Sequence, residues 1–290
     1  MTTEKLKTVL ITGATDGLGK AAAVLLAERG YRVFAAGRSA EKRAQLDAWA
    51  RGKKLALETL HMDVVDDASV KNGVTSIIAK TGGLDVLINN AGIIYIATVE
   101  DTRMEDWRRQ FETNFFGVVR VTQAVLPYMR TQRRGRILMM SSVSGLVTPP
   151  THGPYSSSKH AIEGLSNALR LEMYPFGVDV ILIEPGYITT NLANVAAELM
   201  QPYADKIASG PYAKVYAGAF AGASSARSNS KTTAEDCARI MLEAIEVSRP
   251  KPRYGVTPLA RTVKWAKRLL TDSMMDGILR RRYGIVLENR

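Results

Sequence analysis

Short aliphatic runs alternate with longer amphipathic stretches through most of this chain, and that alternation restricts its fold more than any other feature. KTVLIT (7–12), YRVFAAG (31–37), KLALETLHMD (54–63), LDVLINNAG (84–92), GRILMMSS (135–142) and VDVILIEPG (178–186) are short, apolar or β-branched, and end in Gly, Asn, Asp or Ser. Runs of this kind read as buried strands, apolar on both faces. Between them, stretches 18–30, 40–51, 67–80, 104–132 and 156–177 carry apolar residues at helical spacing. Strand, helix, strand repeated in order implies a parallel sheet with right-handed crossovers and helices on both faces. At 290 residues and 46% hydrophobic, the chain suits a single α/β domain over 1–290.

The first strand runs directly into TGATDGLG at 12–19. A glycine turn between a strand and a helix lets backbone N–H groups at the helix N-terminus approach a pyrophosphate, where the helix dipole also favours an anion. Gly13, Gly17 and Gly19 are spaced G-x-x-x-G-x-G, which differs from the general dinucleotide spacing G-x-G-x-x-G. The second strand ends at Gly37 and Arg38, where a reader of the ribose 2′-hydroxyl would be Asp or Glu. A guanidinium there points to a 2′-phosphate, and so to NADP(H).

Composition removes several classes. The single cysteine, Cys237, allows no disulfide and no cysteine metal site within one chain, and its amphipathic surroundings read as core. His61, His152 and His160 have no partner at ligand spacing, so no metal is expected. No run reaches the roughly 18 apolar residues of a membrane span, and MTTEKLK before the first strand does not resemble a signal peptide. A soluble, cytoplasmic protein is expected. The net charge is +11, but residues 249–290 hold eleven basic residues against Asp272, Asp276 and Glu288, a net of +8. That reads as a basic tail on an ordinary body, not as a nucleic-acid surface.

Tyr155 and Lys159 stand four apart at the start of a helix, which puts both on one face. A cation beside a phenol favours phenolate, so a lowered tyrosine pKa is expected. Ser142 lies thirteen residues before the tyrosine, at the end of the fifth strand.

TGATDGLG, Asp63 in HMDV, NNAG at 89–92, Asn114 in FETNFFG, Ser142, YSSSK at 155–159 and PGYITT at 185–190 together resemble the short-chain dehydrogenase/reductase family, in its order and spacing. The similarity covers about residues 6–190. It implies a Rossmann-type, doubly wound parallel sheet of about seven strands. It also implies a catalytic set of Asn114, Ser142, Tyr155 and Lys159. Tyr155 would exchange the proton of the substrate oxygen. Lys159 would bind the nicotinamide ribose, Ser142 the substrate oxygen, and Asn114 a relay water. The cofactor side would comprise Gly13, Thr15, Asp16, Gly17, Leu18 and Gly19, then Arg38 and Ser39, Asp63 and Val64, and Asn90, Ala91 and Gly92. Pro185, Gly186, Ile188 and Thr190 would complete it with Tyr155 and Lys159. A homodimer or homotetramer is implied, paired through helices at about 104–131 and 154–175.

Beyond residue 186 the expectations are specific to this chain. Residues 187–230 read as a lid over the substrate, with Leu192, Val195, Leu199, Met200, Tyr203, Tyr212, Tyr216 and Phe220 as its apolar surface and GAFAGASSARSNSK (218–231) as a mobile loop. PLARTVKWAKRLL (258–270) reads as an amphipathic basic helix in an extension over 249–290. That helix either packs on the body or meets a membrane or acidic partner. Looser similarity to hydroxysteroid and retinol dehydrogenase branches implies a large apolar carbonyl or alcohol substrate. The competing readings are a 3-oxoacyl thioester reductase of acyl-carrier protein and a non-catalytic NADP-binding sensor.

Overall fold

A computed structural model describes residues 6–286. The elements follow in the order β1 (Thr8–Ile11), α1 (Gly17–Glu28), β2 (Arg32–Gly37), α2 (Ala40–Gly52), β3 (Leu57–His61), α3 (Asp67–Thr81), β4 (Val86–Asn89), α4 (Met104–Phe111), α5 (Gly117–Gln132), β5 (Gly135–Met140), α6 (Gly153–Met173) and β6 (Val178–Glu184). After these come α7 (Leu192–Met200), α8 (Ala204–Ser209), α9 (Ala213–Ser228), α10 (Ala234–Glu246), β7 (Arg253–Gly255), α11 (Pro258–Leu269) and α12 (Asp272–Tyr283). The seven strands form one parallel sheet in the order β3-β2-β1-β4-β5-β6-β7. This is the expected Rossmann-type sheet, and its order reverses between β1 and β4.

Alternate residues of each central strand enter opposite layers, as the period of two requires. Val9, Ile11, Leu138, Met140, Ile181 and Ile183 pack in one core with residues of α1 and α10. Leu10, Ile137, Met139, Val180 and Leu182 pack in the other with α3, α5 and α6. Cys237 is fully buried in the first of these cores, where burial pushes its thiol up to about 12. The thiol is held protonated and packs as a small hydrophobe.

Two expectations need correction. First, 218–231 is not a loop, because α9 runs through it to Ser228. Alanine is the strongest helix former, and the glycines seat another helix. A Cβ on Gly222 would lie 2.6 Å from the Tyr283 ring, and one on Gly218 would meet the Tyr283 carbonyl. Second, residues 249–283 are not a tail. β7 supplies the seventh strand, and Arg253 donates to Glu163 and to Glu184, the latter at 2.7 Å. At three residues, β7 is too short for hydrophobic patterning to reveal. The helical reading of 104–132 holds, with a π turn at Glu112–Phe116 between α4 and α5. The MTTEK start, Glu288 and Arg290 lie outside the described residues.

Candidate active site

At the C-terminal ends of β1 and β4, the sheet reverses direction and the chain opens into a cleft of about 380 Å³. In open α/β sheets this reversal is where ligands bind. Gly13 and Gly17 adopt φ of +62° and +52°, a region that side chains rarely enter. Gly19 is needed for another reason: a Cβ there would lie 2.4 Å from Asn90 Nδ2 and 2.4 Å from the Gly13 carbonyl. Asn90 Nδ2 donates to the carbonyls of Thr12 and Gly13 at 2.9 and 3.0 Å. Thr12 Oγ1 in turn accepts from the backbone N–H groups of Asn90 and Ala91. The turn after β1 is thereby fastened to the end of β4.

Thr15, Asp16, Leu18, Arg38, Ser39, Asp63, Val64, Asn90, Ala91, Gly92, Pro185, Gly186, Ile188 and Thr190 all line this cleft with Gly13 and Gly17. Gly19 lies behind it as a packing position. Arg38 is largely exposed and faces Asp63 at 3.8 Å. Ser39 caps α2, accepting from the Lys42 N–H at 3.2 Å. Lys42, which sequence reasoning missed, also lines the cleft and donates to Asp16 at 2.5 Å. Asn191 donates to the same carboxylate at 2.9 Å. Burial pushes the Asp16 carboxyl up, but Lys42, the Gly17 N–H and Asn191 outweigh it and hold the group below its ordinary value. The signal for Lys42 was a basic residue in the first turn of α2, one turn beyond Arg38.

The cleft fits a dinucleotide. Gly13 and Gly17 line it in the turn before α1, and Arg38 and Lys42 supply cations at the end of β2 where the adenosine half of such a ligand lies in this fold. Among the described residues, no group of three or more His, Cys, Asp or Glu is arranged to hold a metal ion.

Tyr155, Lys159 and Ser142 line the opposite part of the cleft. Lys159 Nζ donates to the Met140 carbonyl at 2.7 Å and lies 5.7 Å from the centre of the Tyr155 ring. Ser142 Oγ accepts from the Ser144 N–H at 3.1 Å. The expected lowering of the tyrosine is not seen. Burial pushes Tyr155 above its ordinary value against an opposing hydrogen bond from Ser142. Burial also pushes Lys159 down to about 8, with Glu163 pulling the other way. Both groups are driven toward neutrality because desolvation outweighs the opposing pull of Ser142 on the tyrosine and of Glu163 on the lysine. A neutral phenol is the form that can donate a proton.

Asn114 does not reach the cleft. It is fully buried in the π turn, a feature frequent at functional sites. Its Oδ1 accepts from the Ile93 N–H, while Nδ2 donates to the Ile93 carbonyl and, at 3.3 Å, to Ser158 Oγ. Both amide hydrogens are occupied, so only Oδ1 has capacity for a water. His152, set aside on sequence, is buried and lines the second pocket described next. Burial holds its pKa below the ordinary value.

That second pocket, about 390 Å³, adjoins the cleft and shares Ser142, Tyr155, Gly186, Ile188, Thr190 and Leu192 with it. Its walls are mostly apolar and differ from the expected lid. Leu192 contributes, and Val195 lines the cleft. Tyr203 and Tyr216 instead turn inward to bind Asp106 and Asp101, and Tyr212 binds Glu100. Leu259, Val263 and Ala266 of α11 and Ile278 and Leu279 of α12 take their place. The amphipathic basic helix therefore turns its apolar stripe to the pocket, leaving Trp265 and Leu269 exposed.

With this geometry in place, comparison with known proteins identifies the class. The short chain dehydrogenase family model matches residues 7–200, and the chain belongs to that family of oxidoreductases. A protein of Bacteroides thetaiotaomicron described as 3-ketodihydrosphingosine reductase is 42% identical over 186 residues, 64% of this chain and 65% of its own length. The NADPH-dependent 3-dehydrocapnine reductase of Ornithobacterium rhinotracheale is 32% identical over 279 residues, 94% of this chain and 96% of its own. Among solved structures, a short chain dehydrogenase/reductase from Burkholderia phymatum in complex with NAD superposes with a TM-score of 0.79 at 26% identity. That match covers 95% of this chain and 97% of the other.

Proposed function

We propose that this protein transfers a hydride between NADP(H) and the carbonyl or secondary alcohol of a large apolar substrate. The observation that carries the reading is that Tyr155 and Ser142 line both the glycine-floored cleft and the apolar pocket. A carbonyl entering from the pocket meets the tyrosine where a nicotinamide would enter from the cleft. When bound, the cofactor supplies the hydride.

In the reduction direction, Ser142 Oγ hydrogen-bonds the carbonyl oxygen and orients it. Tyr155, held neutral by burial, gives its proton to that oxygen as the carbon is reduced. Lys159, with its head group held by the Met140 carbonyl, binds the ribose hydroxyls of the cofactor while protonated. Asn114 ties loop residue Ile93 to α6 through Ser158, and Oδ1 offers the relay water its seat. Arg38, with Lys42 beside it, selects NADP(H) by its charge. The 3-dehydrocapnine relative, named as NADPH-dependent, supports that choice.

Both relatives are named for 3-oxo compounds, so long-chain 3-ketones join steroid- and retinoid-sized carbonyls as candidate substrates. A homodimer is expected through the faces that expose Phe116, Leu171 and Tyr174, checked by light scattering. The deciding experiment is NADPH oxidation with long-chain 3-ketones, steroids, retinoids, small ketones and acetoacetyl thioesters. Efficiency should rise with apolar area, by up to about 0.8 kcal/mol per buried methylene. Tyr155→Phe should lower turnover by roughly 10²–10⁴ with NADPH affinity nearly unchanged. A small hydroxy acid or sugar as best substrate, or full activity in Tyr155→Phe, would overturn the reading.

A further inference from the structure

The apolar pocket contains two charges that hydride transfer does not use. Arg227 from the last turn of α9 and Arg282 from the last turn of α12 both line it, and no aspartate or glutamate does among the described residues. A cation in the last turn is favoured by the helix dipole, which accounts for a basic residue at each helix end. It does not account for both ends converging on one apolar pocket. Convergence is set by packing: Tyr283 seats against Gly222 of α9 and pairs with Tyr187, on whose hydroxyl both guanidinium charges act. Neither arginine forms an ion pair with a described residue, and both are exposed. They stand where the pocket lining meets solvent, whereas Tyr155 and Ser142 stand where it meets the cleft.

We propose that Arg227 and Arg282 form an anion-binding subsite at the mouth of this pocket, so that the preferred substrate is an amphiphilic ketone bearing a carboxylate, sulfonate or phosphate. This rests on the reductase reading above. The walls between the two ends, including Ile94, Ile96, Val147, Leu259, Val263 and Leu279, take the apolar part. Guanidinium groups suit such anions because their planar donors bind two oxygens at once. A membrane phosphate offers the same chemistry, and we assign the subsite to the substrate because the arginines line the pocket that reaches Tyr155.

The test uses the full chain and a series of long-chain keto acids, with the ketone at stepped distances from the carboxylate, each beside its methyl ester. For the best member, the acid should exceed its ester in kcat/KM by about tenfold or more, as a charge-assisted contact allows. The double variant R227Q/R282Q should collapse that ratio to near one. K267Q/R268Q, on exposed positions of α11 outside the pocket, should keep it. Acid and ester reduced equally well by the parent protein would overturn the subsite and leave the reductase reading standing. Arginine-dependent calorimetric binding of the acid without turnover would support the subsite and sink the reductase reading. Arginine-dependent binding to phosphatidylglycerol vesicles with an acid-to-ester ratio near one would assign the pair to a lipid surface and overturn the proposal.

Discussion

Replacing Gly19 with alanine adds one methyl group at the tightest point of the cofactor turn. The new Cβ would lie 2.4 Å from Asn90 Nδ2, 2.4 Å from the Gly13 carbonyl oxygen and 3.0 Å from Ala14 Cα. Two of these neighbours are backbone, so the turn itself must shift, and the Asn90 amide must also leave the Thr12 and Gly13 carbonyls. Overpacking costs about 1–3 kcal/mol, and two lost hydrogen bonds add about 0.5–1.5 kcal/mol each. The expected loss is therefore about 2–6 kcal/mol. The same substitution at Gly164, exposed in the middle of α6 with nothing near its Cβ position, should stabilise by about 0.5–1 kcal/mol through helix propensity. Urea unfolding of both variants at one fixed protein concentration reads the two signs, provided the slopes match the parent. NADPH titration should show weakened binding for Gly19→Ala alone. A loss below about 1 kcal/mol with parental NADPH affinity would refute the claim that the absent side chain holds this turn in shape.

Arg38→Asp should weaken NADPH binding about 10- to 150-fold and NADH binding far less, the range of a charge-assisted contact; its exposure favours the lower end, and equal losses for both cofactors would show that Arg38 does not read the phosphate. Arg253→Met leaves the buried carboxylates of Glu163 and Glu184 unpaired and should cost about 3–5 kcal/mol at neutral pH in urea unfolding. Burial already holds Glu184 above its ordinary value against the pull of Arg253. A group held up in this way favours the protonated fold, so the deficit should shrink as pH falls and Glu184 takes its proton; a deficit independent of pH would contradict this. Lys159, at about 8, is charged below that pH and neutral above it, so kcat/KM for NADPH should fall as pH rises through about 8. Glu163→Gln, which removes the pull that raises Lys159, should move the break lower; a flat profile from about pH 7 to 9 would exclude the assignment.

Several features follow from the sequence alone because their causes are local. Five of the strands are visible in their aliphatic runs, since a strand buried on both faces has few polar positions to spare, whereas the edge strand β3, LETLH, is only partly buried. The demand for glycine at 13 and 17 is a matter of backbone φ, and the shared face of Tyr155 and Lys159 follows from helical spacing. The glycine turn pointed to a dinucleotide, and the resemblance to the short-chain dehydrogenase/reductase family supplied the residues expected to line its cleft. Tertiary structure decided what periodicity cannot encode, namely which neighbour an apolar face meets. Tyr216 binds Asp101 from 115 residues away, so residues read as a lid became anchors, and α11 and α12 came to wall the pocket. The small residues of α9 read as flexible because their reason for being small is Tyr283, which lies on another helix. The protonation of Tyr155 and Lys159 was likewise outside the reach of spacing. Their proximity was legible, but desolvation depends on everything packed around them, and here it outweighs the opposing Ser142 hydrogen bond and Glu163 charge.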